Sequence, residues 1–132
     1  MTNPTESNSV EFSEWLARAV EKGVPESVRA FCFNLLELGR DDGGRFSVEV
    51  VGANKFSATE SDWACEENWE PMDRILNLPA SVSGETWESC LSAVQSLIQK
   101  TLATDSEVAR ILKSREGIGV GFVDGDLHII RP

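Results

Sequence analysis

Apolar and polar positions along the chain fall into a few patterned segments separated by turn formers. Residues 30–38, Ala-Phe-Cys-Phe-Asn-Leu-Leu-Glu-Leu, are almost unbroken apolar sequence. Residues 46–51 alternate, with Phe46, Val48 and Val50 on one face and Ser47 and Glu49 on the other. Between them lies Gly39-Arg40-Asp41-Asp42-Gly43-Gly44-Arg45, a run of turn-forming residues. Successive strand residues point to opposite faces, so this pattern predicts a β-hairpin over about 30–51, its first strand buried on both sides and its second on one. A helix is the competitor for the first half. Pro25 suits a first helical turn, and Val28, Phe31, Cys32, Leu35 and Leu36 also fit helical spacing. Aromatic enrichment and the regular strand after the glycine-rich turn favour the hairpin.

Three segments carry helical periodicity. Ser9 caps a helix to Lys22 with the stripe Phe12, Trp15, Leu16, Ala19 and Val20, and Gly23 stops it. The strongest stripe is Trp87, Cys90, Leu91, Val94, Leu97, Ile98 and Leu102, on a helix over 85–103 capped from Ser83 or from residues 84–86. A shorter helix over 105–114 presents Val108, Ile111 and Leu112. Arg74–Leu78 reads as a strand ended by Pro79.

Asp124-Gly125 is a preferred two-residue turn, predicting a second hairpin over about 117–131 that pairs Phe122 with Leu127, Gly121 with His128 and Gly119 with Ile130. One face is then Ile118, Val120, Phe122, Leu127 and Ile129, a core face. The other is Gly119, Gly121, Val123, Asp126, His128 and Ile130, which is either closely covered or a shallow groove. The expected fold is α+β: a mostly antiparallel sheet containing the two hairpins, with helices largely on one face. Residues 1–8 are expected to be a disordered N-terminus and 9–132 a single domain.

Length and composition are ordinary for one globular domain, but the net charge of −10 is not. Nucleic acids and anionic membranes require Lys/Arg clusters, so the charge disfavours both and favours a basic protein partner. Cys32, Cys65 and Cys90 are an odd, widely spaced set, and the first residues have neither a basic start nor an apolar stretch. Reduced thiols and a cytoplasmic location are the expectation. No apolar run approaches the roughly 20 residues that span a bilayer.

No catalytic, metal or cofactor signature stands out. His128 with a cysteine and Asp124 or Asp126 would make a nucleophile set, but no local argument brings a thiol near the imidazole. Closely spaced zinc ligands are missing, and the Asp124/Asp126 pair is explained by the turn. Gly117-Ile118-Gly119-Val120-Gly121 lacks the following helix and Lys-Ser/Thr pair of a phosphate loop. What remains is Glu60–Asp73, six acids and two tryptophans without a base, read as a long loop with a short strand near its start. Aromatic anchors rimmed by one sign of charge have the composition of an interface. Asp62, Trp63, Glu66, Glu67, Trp69 and Glu70, joined by His128 on the glycine-bare face, are the candidate partner-binding residues; Trp15 and Trp87 are expected in the core.

Three pieces, Phe31-Cys32-Phe33-Asn34-Leu35, Asp62-Trp63-Ala64-Cys65-Glu66 and Gly121-Phe122-Val123-Asp124-Gly125-Asp126, resemble a family of small uncharacterised bacterial cytosolic proteins, loosely similar to the immunity proteins of polymorphic toxin systems. The resemblance implies a non-enzymatic protein that binds and blocks a basic toxin, and it names no functional residue. Two alternatives stay open: a structural or self-associating domain, such as a homodimer through the exposed sheet face, and a small hydrolase using Cys, His and Asp.

Overall fold

The apolar run from Ala30 is a strand, and it lies at the centre of the sheet. A computed structural model describes residues 4–37, 46–57, 59, 63, 67–78, 80–84, 86–122 and 127–130. In chain order the elements are α1 (Pro4–Val20), β1 (Ala30–Glu37), β2 (Phe46–Ala53), β3 (Glu67–Trp69), β4 (Ile75–Leu78), the single turn α2 (Ala80–Ser83), α3 (Trp87–Leu102), α4 (Glu107–Lys113), β5 (Gly117–Phe122) and β6 (His128–Ile130). The fold is α+β. The six-stranded sheet has the order β3-β2-β1-β5-β6, with β4 also on β2. β1 pairs antiparallel with β2 from Ala30↔Ala53 to Glu37↔Phe46. On its other side it pairs with β5 in parallel, from Ala30↔Gly117 to Leu35↔Phe122. The connecting residues 38–45 and 123–126 lie outside the described residues.

β1 has a neighbour on each side and is covered on both faces of the sheet, so it buries apolar side chains on each. Phe31, Phe33 and Leu35 join Phe46, Val48, Val50, Ile118 and Val120 in the larger core, with Phe12, Trp15 and Leu16 of α1 and Val94, Ile98 and Leu102 of α3. Ala30 and Cys32 face the other way, into a smaller core with Val51, Ala53 and Trp63, flanked by Phe56, Leu127 and Ile129. Thr86 caps α3 through a reciprocal capping box with Ser89, and Ser106 caps α4. Gly23, with φ of 93°, ends the α1 segment in the left-handed conformation that a C-terminal stop uses. Helix α1 begins at Pro4, ahead of the Ser9 cap that the sequence suggests, and so includes residues 4–8.

Two sequence expectations are corrected here. The first concerns β6. The observed partners are Ile118↔Ile130, Gly119↔Ile129 and Val120↔His128, one residue away from the register of a two-residue Asp124-Gly125 turn. A one-residue slip moves every side chain to the opposite face. Ile130 therefore enters the larger core, while Leu127 and Ile129 lie over the glycines. Because both faces of this sheet are covered, the apolar pattern of β6 satisfies either register and could not choose between them. The glycine face is no groove. A Cβ at Gly119 would lie 2.9 Å from Cζ2 of Trp63, and one at Gly117 would overlap the Phe56 ring. The second correction is Trp87, which is 59% exposed rather than core. It is the first residue of α3, and its ring stands edge-on to Phe122 with centroids 6.4 Å apart.

Candidate binding edge of the sheet

Strands β3 and β4 both run antiparallel to β2 and occupy the same side of it. Gly52 pairs with Trp69 and Ala53 with Glu67, whereas Glu49 pairs with Ile75 and Phe46 with Leu78. Five residues, 70–74, thus stand against only two of β2, Val50 and Val51. One edge strand is interrupted by an outward excursion, Glu70-Pro71-Met72-Asp73-Arg74, of the kind that bends an edge and blocks uncontrolled pairing.

The excursion is fixed at its base. Trp15 Nε1 donates to the Asp73 carbonyl at 2.7 Å, and the Val50 amide donates to the Arg74 carbonyl at 2.8 Å. Pro71 is buried. Asn68 Nδ2 donates to the carbonyl and the hydroxyl of Ser27 at 3.2 and 3.1 Å, tying β3 to the segment before β1. On this base Met72 is 86% exposed and Ile75 48% exposed. Apolar side chains held out on a rigid turn signal a contact surface more than a mobile tail would.

Charges of both signs lie near them, with Lys22 Nζ 4.0 Å from Met72 Sδ. Glu67, Glu70 and Asp73 are exposed, and Glu49 is half-buried on β2. The Glu49 carboxylate is held on both oxygens, by Asn34 Nδ2 at 3.2 Å and by Arg74 Nε at 3.1 Å. Its cation is thereby committed. Glu67 is shifted: partial burial, then the Glu49 and Glu70 charges, hold its carboxyl above the usual range, against a smaller opposing pull from Asn34. A cationic group placed there would relieve that repulsion.

The structure separates the candidate residues. Glu67 and Glu70 lie together on this edge. Trp63 does not: it is only 3% exposed, packed on the sheet face opposite the large core with its ring centroid 5.1 Å from that of Phe56. Its indole is a structural cover and no anchor for a partner. Trp69 is half-buried and stands edge-on to Phe31 at 6.0 Å. The strand described in this stretch is residues 67–69; the start, where the sequence predicts a short strand, lies outside the described residues apart from Trp63. His128 is exposed on β6, at the other end of the sheet order, and does not join the acids. Asp62 and Glu66 lie outside the described residues.

No family model matches the chain, and no curated protein or solved structure matches it at a significant level. The chemistry of the site must therefore come from the residues alone.

Met72, Ile75 and Glu49 complete the edge and were not singled out by sequence, while Asp73 is counted among the acids of the stretch. A signal for Met72 existed, since an apolar residue after proline in a base-free stretch has no periodic partner to bury it. Of the nucleophile set, Cys65, Asp124 and Asp126 lie outside the described residues, and the two described cysteines are buried. Burial pushes the Cys90 thiol up to about 12, so it stays protonated near neutral pH, and the thiolate is the nucleophile. Cys32 is buried and donates its Sγ–H to Asn34 Oδ1 at 3.2 Å. Among the described residues no helix is long and apolar enough to cross a membrane.

Proposed function

We propose that this protein is a non-enzymatic binding protein that docks a basic protein partner through the β3–β4 edge. One observation carries the reading: Met72 on the excursion and Ile75 at the start of β4 stand exposed, in a stretch that also exposes Glu67, Glu70 and Asp73, in a chain of net charge −10. Apolar contacts would hold the complex, and the acids would steer a cationic surface onto it. The immunity-type resemblance adds a form to this reading, in which the partner is a toxin blocked by direct contact. Self-association through the same edge is the weaker alternative, because two copies would bring like charges together.

The test starts with capture from a lysate of the source cell, identification of the partner by mass spectrometry, and its purification. Association rates are then measured from about 50 to 500 mM salt, a range that shortens the screening length well below the dimensions of the acidic stretch. Joint replacement Glu67→Gln and Glu70→Gln should slow association and flatten its salt dependence, whereas Met72→Ser should speed dissociation. An association rate indifferent to both salt and the Gln replacements would sink the proposal.

A further inference from the structure

We infer that β4 accepts an added strand: an extended, basic segment of the partner pairs with the outer side of Ile75–Leu78 and seats an apolar side chain in the groove beside it. The inference rests on the docking proposed above and specifies how the partner is held.

The hydrogen-bond phase of the edge is the first support. The Val50 amide donates to the Arg74 carbonyl, which makes Val50 and Arg74 a bonded pair. In an antiparallel ladder bonded and non-bonded pairs alternate, so Val48↔Leu76 and Phe46↔Leu78 are bonded and Glu49↔Ile75 and Ser47↔Asn77 are not. The peptide groups of Ile75 and Asn77 therefore point away from β2. Among the described residues no strand meets them, and both residues are exposed.

A groove beside the strand is the second. Glu11 and Phe12 of α1, Leu76, Asn77 and Leu78 of β4, Val82 of α2 and Leu97 of α3 line a shallow depression, apolar except for Glu11 and Asn77. Side chains of an added strand alternate between faces, so every second residue of a guest on β4 would project to the side of Leu76 and Leu78.

Charge selects the occupant. Glu11 lines the groove and the exposed Asp73 lies two residues ahead of β4, and with a net charge of −10 they favour a cationic guest and oppose a second copy of this acidic chain. An extended segment alternating basic and apolar residues satisfies the edge, the groove and the charge together.

The probe is an acetylated, amidated octapeptide alternating lysine and valine, titrated into the full-length protein. Its binding should protect the Ile75 and Asn77 amides from hydrogen exchange. Asn77→Pro removes an outward N–H that β2 does not use, at an edge position where proline is tolerated, and should weaken the peptide's Kd about tenfold. Were Asn77→Pro to misfold, the same peptide with N-methylated valines tests the bonds from the other side and should also bind about tenfold more weakly. An unchanged Kd in these tests, or protection appearing on β6 instead, overturns strand addition. If the Gln replacements at Glu67 and Glu70 still weaken the natural partner, the docking proposal survives that result. A homodimer dissociated by Asn77→Pro would assign the edge to a second copy and overturn the occupant named here.

Discussion

Gly119→Ala should destabilise this protein even though alanine is ordinarily the better residue in a strand. Its Cβ would lie 2.9 Å from Cζ2 and 3.0 Å from Cη2 of Trp63, and 3.0 Å from Cδ1 of Leu127. Carbon atoms prefer roughly 3.5–4.0 Å, so the indole must retreat by about half an ångström or more. It has little room, because Phe56 lies against it. Overpacking of this kind costs about 1–3 kcal/mol, and alanine returns about 0.4–1 kcal/mol by restricting the unfolded chain. The net loss is then about 1–2 kcal/mol. With a urea m-value of about 2 kcal/mol/M, the unfolding midpoint should fall by roughly 0.5–1 M. A double-mutant cycle isolates the cause. Leucine lacks the benzo ring that the new methyl meets, so in a Trp63→Leu background Gly119→Ala should be nearly neutral or stabilising. Equal losses in both backgrounds, or a gain in stability from the single change, would refute the claim that Trp63 closes this face.

Two further outcomes follow from titrating groups. Glu67 has a raised folded-state pKa, so between its ordinary and raised values the native state holds more protons than the unfolded chain. Its contribution is fully present below the ordinary value and is lost as pH rises through the raised one; Glu67→Gln should therefore raise the urea midpoint at neutral pH and give no gain below the ordinary carboxylate value. Cys90 should resist iodoacetamide at neutral pH under native conditions and react once urea unfolds α3, as mass spectrometry of the α3 peptide would show, because burial lifts its thiol to about 12.

Where one face of an element is buried and the other wet, its sequence is readable. The α3 stripe from Cys90 to Leu102 is such a case, and its buried side chains Cys90, Val94, Leu97, Ile98 and Leu102 fall where helical periodicity puts them. The apolar run of β1 fits a strand buried on both faces, and the regular strand after the glycine-rich turn was what set it apart from a buried helix. β6 is the opposite case. Apolar side chains at Leu127, Ile129 and Ile130 are welcome on either face, so turn chemistry at Asp124-Gly125 was the only guide to register, and packing overrode it. Trp63 and Trp87 exchanged expected places for a related reason. Loop composition suggested exposure for Trp63, but the side-chain-free backbone at Gly119 offered its ring a seat, beside Phe56 over Gly117. Helical phase suggested burial for Trp87, but phase says nothing about where along its length a helix overhangs the sheet.

The parallel contact of β1 with β5 has a consequence for the birth of the molecule. Ala30 is bonded across to Gly117, so the middle strand of the sheet waits for nearly the whole chain before its second side is covered. During synthesis β1 and β2 emerge early, with one flank of β1 bare while α3 and α4 are still being made. That flank is apolar on both faces, the kind of surface that neighbouring nascent chains can capture. Closing so distant a pair is also slow compared with forming a local hairpin. Chains truncated before residue 117 should therefore aggregate rather than persist as soluble fragments, and β5, near the end of the sequence, serves as the seal that closes the sheet.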